Sequence, residues 1–322
     1  MLVQEAQELY NSILQAQNIL IITHRNPDGD AIGSSLAFYN FLKSINKNVK
    51  CFCKDIETEN YNYLENIEQI QNDISILDKK YELCLIVDCG DLSMTKVSDI
   101  LENKNFEFGI ANIDHHETNP GYGKINIIMK NASSTSEVIY LLLSTWKIDI
   151  NPKIATNLIT GIITDTSNFT NGGTTKQSIE ISSRLLSIGA NLGDVLKAHV
   201  YNKTINILKL WGIILKRMVF SENLSMVSTV IFDEDLEKLN LDKEASEGIS
   251  NYLNNLSKDI KFSLLLKDDN HGTVRGSLRT TRDDCDVSEI AKSFGGGGHK
   301  KAAGFETAGH VELKNNNWQI VK

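Results

Sequence analysis

Asp114, His115 and His116 follow one another directly after the apolar run Gly109–Ile113. Three side chains able to ligate a metal or move a proton are costly to bury without partners, so their place at the end of a strand points to a site. Three other hydrophobic stretches end in the same way. His24-Arg25-Asn26-Pro27-Asp28-Gly29-Asp30 follows Asn18–Thr23, Asp88-Cys89-Gly90-Asp91 follows Leu83–Val87, and Asp165 closes Ile159–Thr164. The pattern predicts one metal site assembled from distant parts of the chain.

Each segment has its own logic. Asp28 and Asp30 flank Gly29, so a tight loop can aim both carboxylates near one centre, with Pro27 stiffening the path from His24. Asp88 abuts an apolar strand at its carboxyl end, where open α/β sheets place their ligands. Asp91 suits a helix cap. The adjacent histidines are expected to point to different sides, His115 ligating and His116 facing a substrate. The expected donors are four carboxylates (Asp28, Asp30, Asp88, Asp165) and two imidazoles (His24, His115). That hard, oxygen-rich set suits manganese or magnesium better than a thiolate zinc site. Four negative charges balance two divalent cations, which can together activate a nucleophile and stabilise charge on a phosphate.

A second signal lies near the other end, in Phe294-Gly-Gly-Gly-Gly-His-Lys-Lys-Ala-Ala-Gly304. Glycines without side chains can turn a nest of N–H groups toward an anion, here Gly296, Gly297 and Gly298 beside His299 and Lys300. The run lacks the spacing of a Walker loop. Ser277-Leu278-Arg279-Thr280 precedes it on an expected strand, where Arg279 taken alone could equally pair with a surface acid.

The elements that must position these residues alternate. Strands are expected at Ile19–Thr23, Val49–Cys53, Leu83–Val87, Gly109–Ile113 and Lys124–Met129. Helices are expected over Ala31–Ile45, Ser134–Trp146, from Pro152 to Thr164 and over Thr175–Gly189, and the N-terminal residues read as the first turns of another. Alternation of this kind implies a mostly parallel sheet with helices on both faces. Residues 190–214 read as a polar-sided helical connection. Beyond them come strand-like content over Arg217–Phe232, a helix over Glu244–Leu256, strands at Ile260–Lys267 and Thr273–Thr281, and a strand-like tail. The expected organisation is an α/β domain over 1–189, a linker over 190–214, and a smaller α+β domain over 215–322.

At 322 residues, with 41% of them hydrophobic, the chain can bury two cores. Its apolar runs fall far short of the roughly 20 residues that span a membrane. The acidic N-terminus does not read as a signal peptide, so a cytoplasmic protein without membrane association is expected. Five cysteines without a C-x-x-C pair suggest reduced, buried thiols, with Cys51 and Cys53 on one strand face. A net charge of −8 argues against wrapping long duplex nucleic acid and permits a short anionic substrate.

The four acidic and imidazole-bearing segments resemble the motifs of the DHH phosphoesterase superfamily, which includes RecJ-type exonucleases and family II pyrophosphatases. Ser-Leu-Arg and Gly-Gly-Gly-Gly-His resemble the DHH-associated C-terminal domain, so the likeness spans nearly the whole chain. The resemblance implies a parallel α/β domain holding two manganese ions (magnesium or cobalt being alternatives) and a smaller domain across a cleft. By motif, His24 and Asp28 would hold one ion and Asp30 and His115 the other. Asp88 would bridge them and Asp165 would complete the set. His116 would contact phosphate or assist proton transfer, Asp114 would orient the imidazoles, and Arg279 and the glycine run with His299 would bind a nucleotide or terminal phosphate. Arg275 and Arg282 are further carry-overs. The two-domain arrangement is most similar to the nanoRNase/pAp-phosphatase group, often called NrnA-like. That similarity implies a homodimeric hydrolase of two- to five-nucleotide RNA or of 3′-phosphoadenosine 5′-phosphate (pAp). Cyclic di-AMP or pApA cleavage, a non-catalytic nucleotide sensor, and polyphosphate or pyrophosphate hydrolysis stay open as alternatives.

Overall fold

Six parallel strands form the frame of the first half of the chain: β1 (Asn18–Ile22), β2 (Asn48–Phe52), β3 (Ile70–Gln71), β4 (Leu83–Val87), β5 (Gly109–Asp114) and β6 (Ile125–Ile128). The structure is a computed structural model that describes residues 3–201, 203–242, 245, 248–253, 259–314 and 317–321. It divides into two units, Met1–Asn202 and Lys203–Lys322.

In the first unit the strand order is β3-β2-β1-β4-β5-β6. From β1 the chain steps outward to β2 and β3, then returns to the other side of β1 for β4, β5 and β6. The crossovers therefore leave β1 and β4 in opposite directions. A crevice opens at the carboxyl ends of such a pair, and ligands of open α/β sheets bind there.

Among the described residues, seven α-helices accompany the sheet: α1 (Val3–Gln15), α2 (Gly29–Ser44), α3 (Ser98–Glu102), α4 (Thr135–Thr145), α5 (Pro152–Asp165), α6 (Lys176–Ile188) and α7 (Leu192–His199). Strand alternation sorts the core into two. Ile19, Ile21, Leu83, Leu85, Val87 and Ile113 pack with the long helices, including Leu36, Phe38 and Phe41 of α2 and Leu158 and Ile162 of α5. Leu20, Ile22, Cys84 and Ile86 face the other way, against Leu101 of α3 and against Ile76 and Leu77 of a 3-10 turn. A parallel sheet buries both faces, and here one face carries long helices while the other carries short ones. All five cysteines are free thiols, and Cys51 and Cys53 share the long-helix face.

The helix starts read at Ser134 and Pro152 are in place. Ser134 accepts the Glu137 N–H at the start of α4, and Pro152 opens α5 behind the Asn151 cap. Residues 190–214 form two helices rather than one connection. The first, α7, packs on α5, and the second, α8 (Ile205–Lys216), packs on β8 of the second unit.

The second unit continues with β7 (Val219–Ser221), β8 (Met226–Phe232), α9 (Asp233–Lys238), α10 (Ile249–Leu253), β9 (Phe262–Asp268), β10 (Thr273–Arg279), α11 (Val287–Ser293), β11 (Gly297–His299), β12 (Ala302–Ala308), β13 (His310–Lys314) and β14 (Asn317–Val321). One sheet has the order β11-β12-β10-β9-β8-β7, antiparallel except for β8 and β9, and β13 pairs with β14 in a separate hairpin. Val230, Leu266, Val274, Leu278, Val287 and Phe305 make its core. The strand content expected over 217–232 resolves into the β7–β8 hairpin. Of the helix expected over Glu244–Leu256, α10 is described, while 243–244, 246–247 and 254–258 lie outside the described residues. No helix among the described residues is long and apolar enough to cross a membrane.

Candidate metal centre

His24 leaves β1 at the crevice, and its Nδ1 donates to the Arg25 carbonyl at 2.8 Å. That contact turns Nε2 toward Asp88, 3.7 Å from Oδ2. Asp28 caps α2, accepting the Asp30 and Ala31 N–H groups at 3.0 Å each. Asp30, in the first turn of α2, is buried and accepts from the N-terminus of α4: Thr135 N–H at 2.6 Å and Ser136 N–H at 2.9 Å. The positive end of a helix dipole thus faces a buried carboxylate. Close packing makes room for it, because a side chain at Gly161 of α5 would collide with the Asp30 carboxylate and the Ser136 hydroxyl.

Asp88 follows β4 with φ of +59°, a left-handed conformation that aspartate tolerates better than branched residues do. Its Oδ1 accepts the Thr135 hydroxyl at 2.8 Å. His115 donates from Nδ1 to the Ala132 carbonyl at 3.3 Å, leaving Nε2 3.3 Å from Asp165 Oδ2 and 3.9 Å from Asp88 Oδ1. Asp165 sits at the last residue of α5. His116 Nδ1 lies 2.7 Å from Asp114 Oδ1, while Asp114 Oδ2 accepts the Asn119 amide at 2.5 Å.

The donor atoms gather into overlapping sets, each within 4.8 Å: His24, Asp28 and Asp88; Asp30, His115 and Asp165; Asp88, His115 and His116. The first two sets contain all six expected ligands. Two local readings differ from the expectation. Asp114 orients His116 alone, His115 being fixed by Ala132. The two rings also lie 4.7 Å apart and lean toward the same centre, because β5 ends at Asp114 and the alternation that would separate neighbours ends with it.

Charge in this crevice is unbalanced. Burial raises the Asp28 pKa, and Asp88 raises it further; Asp30 is driven well above the carboxylate range by burial and by the charges of Asp88 and Asp165. Burial and the Asp88 and Asp28 charges lift Asp165 to about 8. Asp88 goes the other way: burial opposes its ionisation, but His24, His115 and His116 hold it below its usual value. Burial opposes charge on His24 as well, yet its contacts with Asp88 and Arg25 carry it to about 9. The Asp114 hydrogen bond lifts His116 to about 9. Carboxylates forced together in this way favour protons or cations. Their hard oxygen and nitrogen donors fit divalent metal ions.

The candidates in the second unit are differently placed. Ser277 and Arg279 lie on β10, with Arg279 half-buried and donating to the Leu278 carbonyl at 3.0 Å. The glycine run is not an open nest. Gly295 and Gly296 N–H groups donate to Lys292 and Ala291 at the end of α11, and Gly297–His299 pair with β12 as the edge strand β11. The orphan carbonyls of the helix end draw in the first two N–H groups. Gly298, His299 and Lys300 are exposed. Arg275 and Arg282 pair with Glu306 and Asp284, each at 2.7 Å.

Thr135, Ser136 and Asn119 contact the candidate ligands and His116's partner, yet sequence reasoning missed them. Ser133–Glu137 was legible only as a helix start, and nothing local shows that Thr135 meets residues 47 and 105 positions away.

Residues 18–162 match the profile described as DHH family, N-terminal domain, and residues 224–317 match the DHHA1 domain. The chain belongs to the DHH superfamily. Within it, the chain is similar to the bifunctional oligoribonuclease and PAP phosphatase NrnA of Thermus thermophilus, 28% identical over 307 residues that cover 95% of this chain and 89% of that protein. The protein of the same description from Bacillus subtilis is 25% identical, covering 92% and 91%. The crystal structure of an exopolyphosphatase-related protein from Bacteroides fragilis superposes with a TM-score of 0.86 at 27% identity, covering 95% of this chain and 92% of that one. The parallel-sheet unit of this NrnA-like protein carries the DHH match, and the second unit carries the DHHA1 match.

Proposed function

We propose that this DHH protein is a divalent-metal phosphoester hydrolase acting on short nucleotide substrates: RNA of a few nucleotides, the 3′-phosphate of pAp, or both. The observation that carries the proposal is the meeting of the His24/Asp28/Asp88 and Asp30/His115/Asp165 sets at one sheet edge. The nearly full-length similarity to two NrnA enzymes supports the substrate class. In the proposed assignment the first set holds one manganese ion, the second holds another, and Asp88 faces both. When bound, the ions would supply charge stabilisation for the phosphate and an activated nucleophile.

The remaining work falls to the chain. Asp114 holds the His116 Nδ1 proton, so that Nε2 is the nitrogen left to contact phosphate or to pass a proton to the leaving oxygen. Arg279, Ser277, Gly296, Gly297, Gly298, His299 and Lys300 are the proposed contacts for a second phosphate or nucleotide. We place the protein in the cytoplasm, acting as a homodimer, which sedimentation of the metal-loaded protein tests directly.

Incubating the purified protein with pAp, pApA, cyclic di-AMP, RNA dimers to pentamers and polyphosphate tests the substrate class, each with manganese and with chelator. Manganese-dependent release of AMP from pAp or of mononucleotides from the RNA is expected. Preference for cyclic di-AMP or pApA would move the substrate within the same chemistry. Nucleotides retained unaltered would indicate a sensor, and phosphate release from polyphosphate alone would overturn the nucleotide assignment.

A further inference from the structure

The N-terminal turn of α4 touches both proposed metal sets, and Thr135 does so with two different groups. Its backbone N–H donates to Asp30 Oδ2 at 2.6 Å and its hydroxyl donates to Asp88 Oδ1 at 2.8 Å. Thr135 is fully buried. Asp88 has no other side-chain hydrogen bond of ordinary length among the described residues. His24 stands 3.7 Å from Oδ2, while His115 and His116 stand 3.9 Å from Oδ1. The two oxygens of one carboxylate therefore face different ligand sets, and the Thr135 hydroxyl holds Oδ1 on the His115 side.

We infer that Thr135 is a positioning residue that fixes the bridging orientation of Asp88, and that its hydroxyl couples the binding of the second cation to the first. The inference rests on the two-metal reading above. A carboxylate free to rotate about χ2 could offer both oxygens to one cation and leave the other with its own donors alone, His24 and Asp28 or Asp30, His115 and Asp165. A buried hydroxyl donating to one oxygen removes that freedom and satisfies one lone pair of Oδ1, leaving another for metal. Outer hydrogen bonds of this kind commonly change metal affinity ten- to a hundredfold, roughly. The backbone N–H of Thr135 reaches Asp30 whatever the side chain, so exchanging the side chain isolates the Asp88 contact. Position 135 opens the helix behind the Ser134 cap, and a β-branched isostere fits the same space.

The test is calorimetric and spectroscopic titration of the metal-free full chain with Mn2+, comparing wild type with Thr135→Val, Thr135→Ala and Thr135→Ser. Wild type and the serine variant should take up two ions and show the same magnetic coupling between them in electron paramagnetic resonance. The valine variant should bind the weaker ion about ten- to a hundredfold less tightly and lose the coupled signal. The alanine variant reports the same quantity should the valine variant fail to fold, with circular dichroism as the check. Two ions bound with wild-type affinity and coupling by the valine or alanine variant would overturn the inference. A serine variant as defective as the valine one would overturn it too, because the hydroxyl would then not be the cause. Wild type binding a single ion would remove the two-metal reading and this inference with it, an outcome distinct from an intact wild type with indifferent variants.

Discussion

The DHH domain and the DHHA1 domain each carry candidate site residues, but they hold them by different physics. In the first, Asp30 and Asp88 are nearly inaccessible, fixed by a helix N-terminus, a hydroxyl and neighbouring imidazoles; burial and neighbouring carboxylates raise the pKa of Asp30, while the imidazoles lower that of Asp88. In the second, His299 and Lys300 stand exposed at an edge strand, with Arg279 half-buried on β10. Buried ligands that share neighbours should fail together and abruptly. Exposed contacts should fail singly and by degrees. The contrast separates residues expected to decide whether the chemistry occurs from residues expected to decide how well a substrate is held.

The largest expected effect is on the buried side. Asp88→Ala should lower kcat more than about a thousandfold, on the scale of ~4 kcal/mol of transition-state stabilisation, with circular dichroism unchanged. Normal manganese-dependent turnover by this variant would break the comparison outright. Gly161→Ala should come next. Its new methyl meets Asp30 and Ser136, so a loss of about 1–3 kcal/mol in denaturant unfolding is expected, together with weaker metal uptake. A variant as stable as wild type and equally metal-tight would show that the α2–α5 contact does not shape the site. On the exposed side, His299→Ala should raise KM about tenfold, the loss of one charge-assisted hydrogen bond of ~1.5 kcal/mol, with little change in kcat. A fall in kcat with constant KM would move His299 into the chemical step.

The smallest effect sharpens the comparison through pH. Asp165, His24 and His116 all have folded pKa values raised above their unfolded ones, to about 8, 9 and 9. Raised groups stabilise the fold below the unfolded pKa, and that stability is lost as pH climbs through the folded pKa. For Asp165 the window runs from the normal carboxylate range up to about 8, and for the histidines from the normal imidazole range to about 9. The Tm of the metal-free protein should therefore fall between neutrality and mildly alkaline pH, and added manganese should reverse the fall. Binding should also release protons, which calorimetry in two buffers of different ionisation enthalpy measures. A metal-free Tm that rises over the same interval would contradict the raised pKa values described for these three groups.

Much of the DHH domain is legible in the sequence. Leu83–Val87 is continuously apolar and reads as a strand buried on both faces, and it forms β4 with the same bounds. Ser134 and Pro152 marked helix starts through chemistry that acts within a few residues. Less was legible where distant partners decide the conformation. The 3-10 turn at Ile74–Asp78 and the short α3 have weak local patterns and are held by what they cover on the sheet. The four glycines suggested free N–H groups, but the end of α11 and the edge of β12 use several of them.

Residue type and spacing already specified the donor chemistry, because carboxylates and imidazoles recur together at the ends of four apolar runs. They specified the alternating fold as well, since period and capping are local. The partners within the site were not local. That Asp30 would be held by α4 rather than by its own helix, that Thr135 would reach Asp88, and that His115 and His116 would lean together follow from the strand order at β1 and β4 and from the glycine-mediated approach of α2 to α5. Packing brings Asp30 and Asp165, 135 positions apart, into one ligand set, and no periodicity in a linear chain records a distance of that kind.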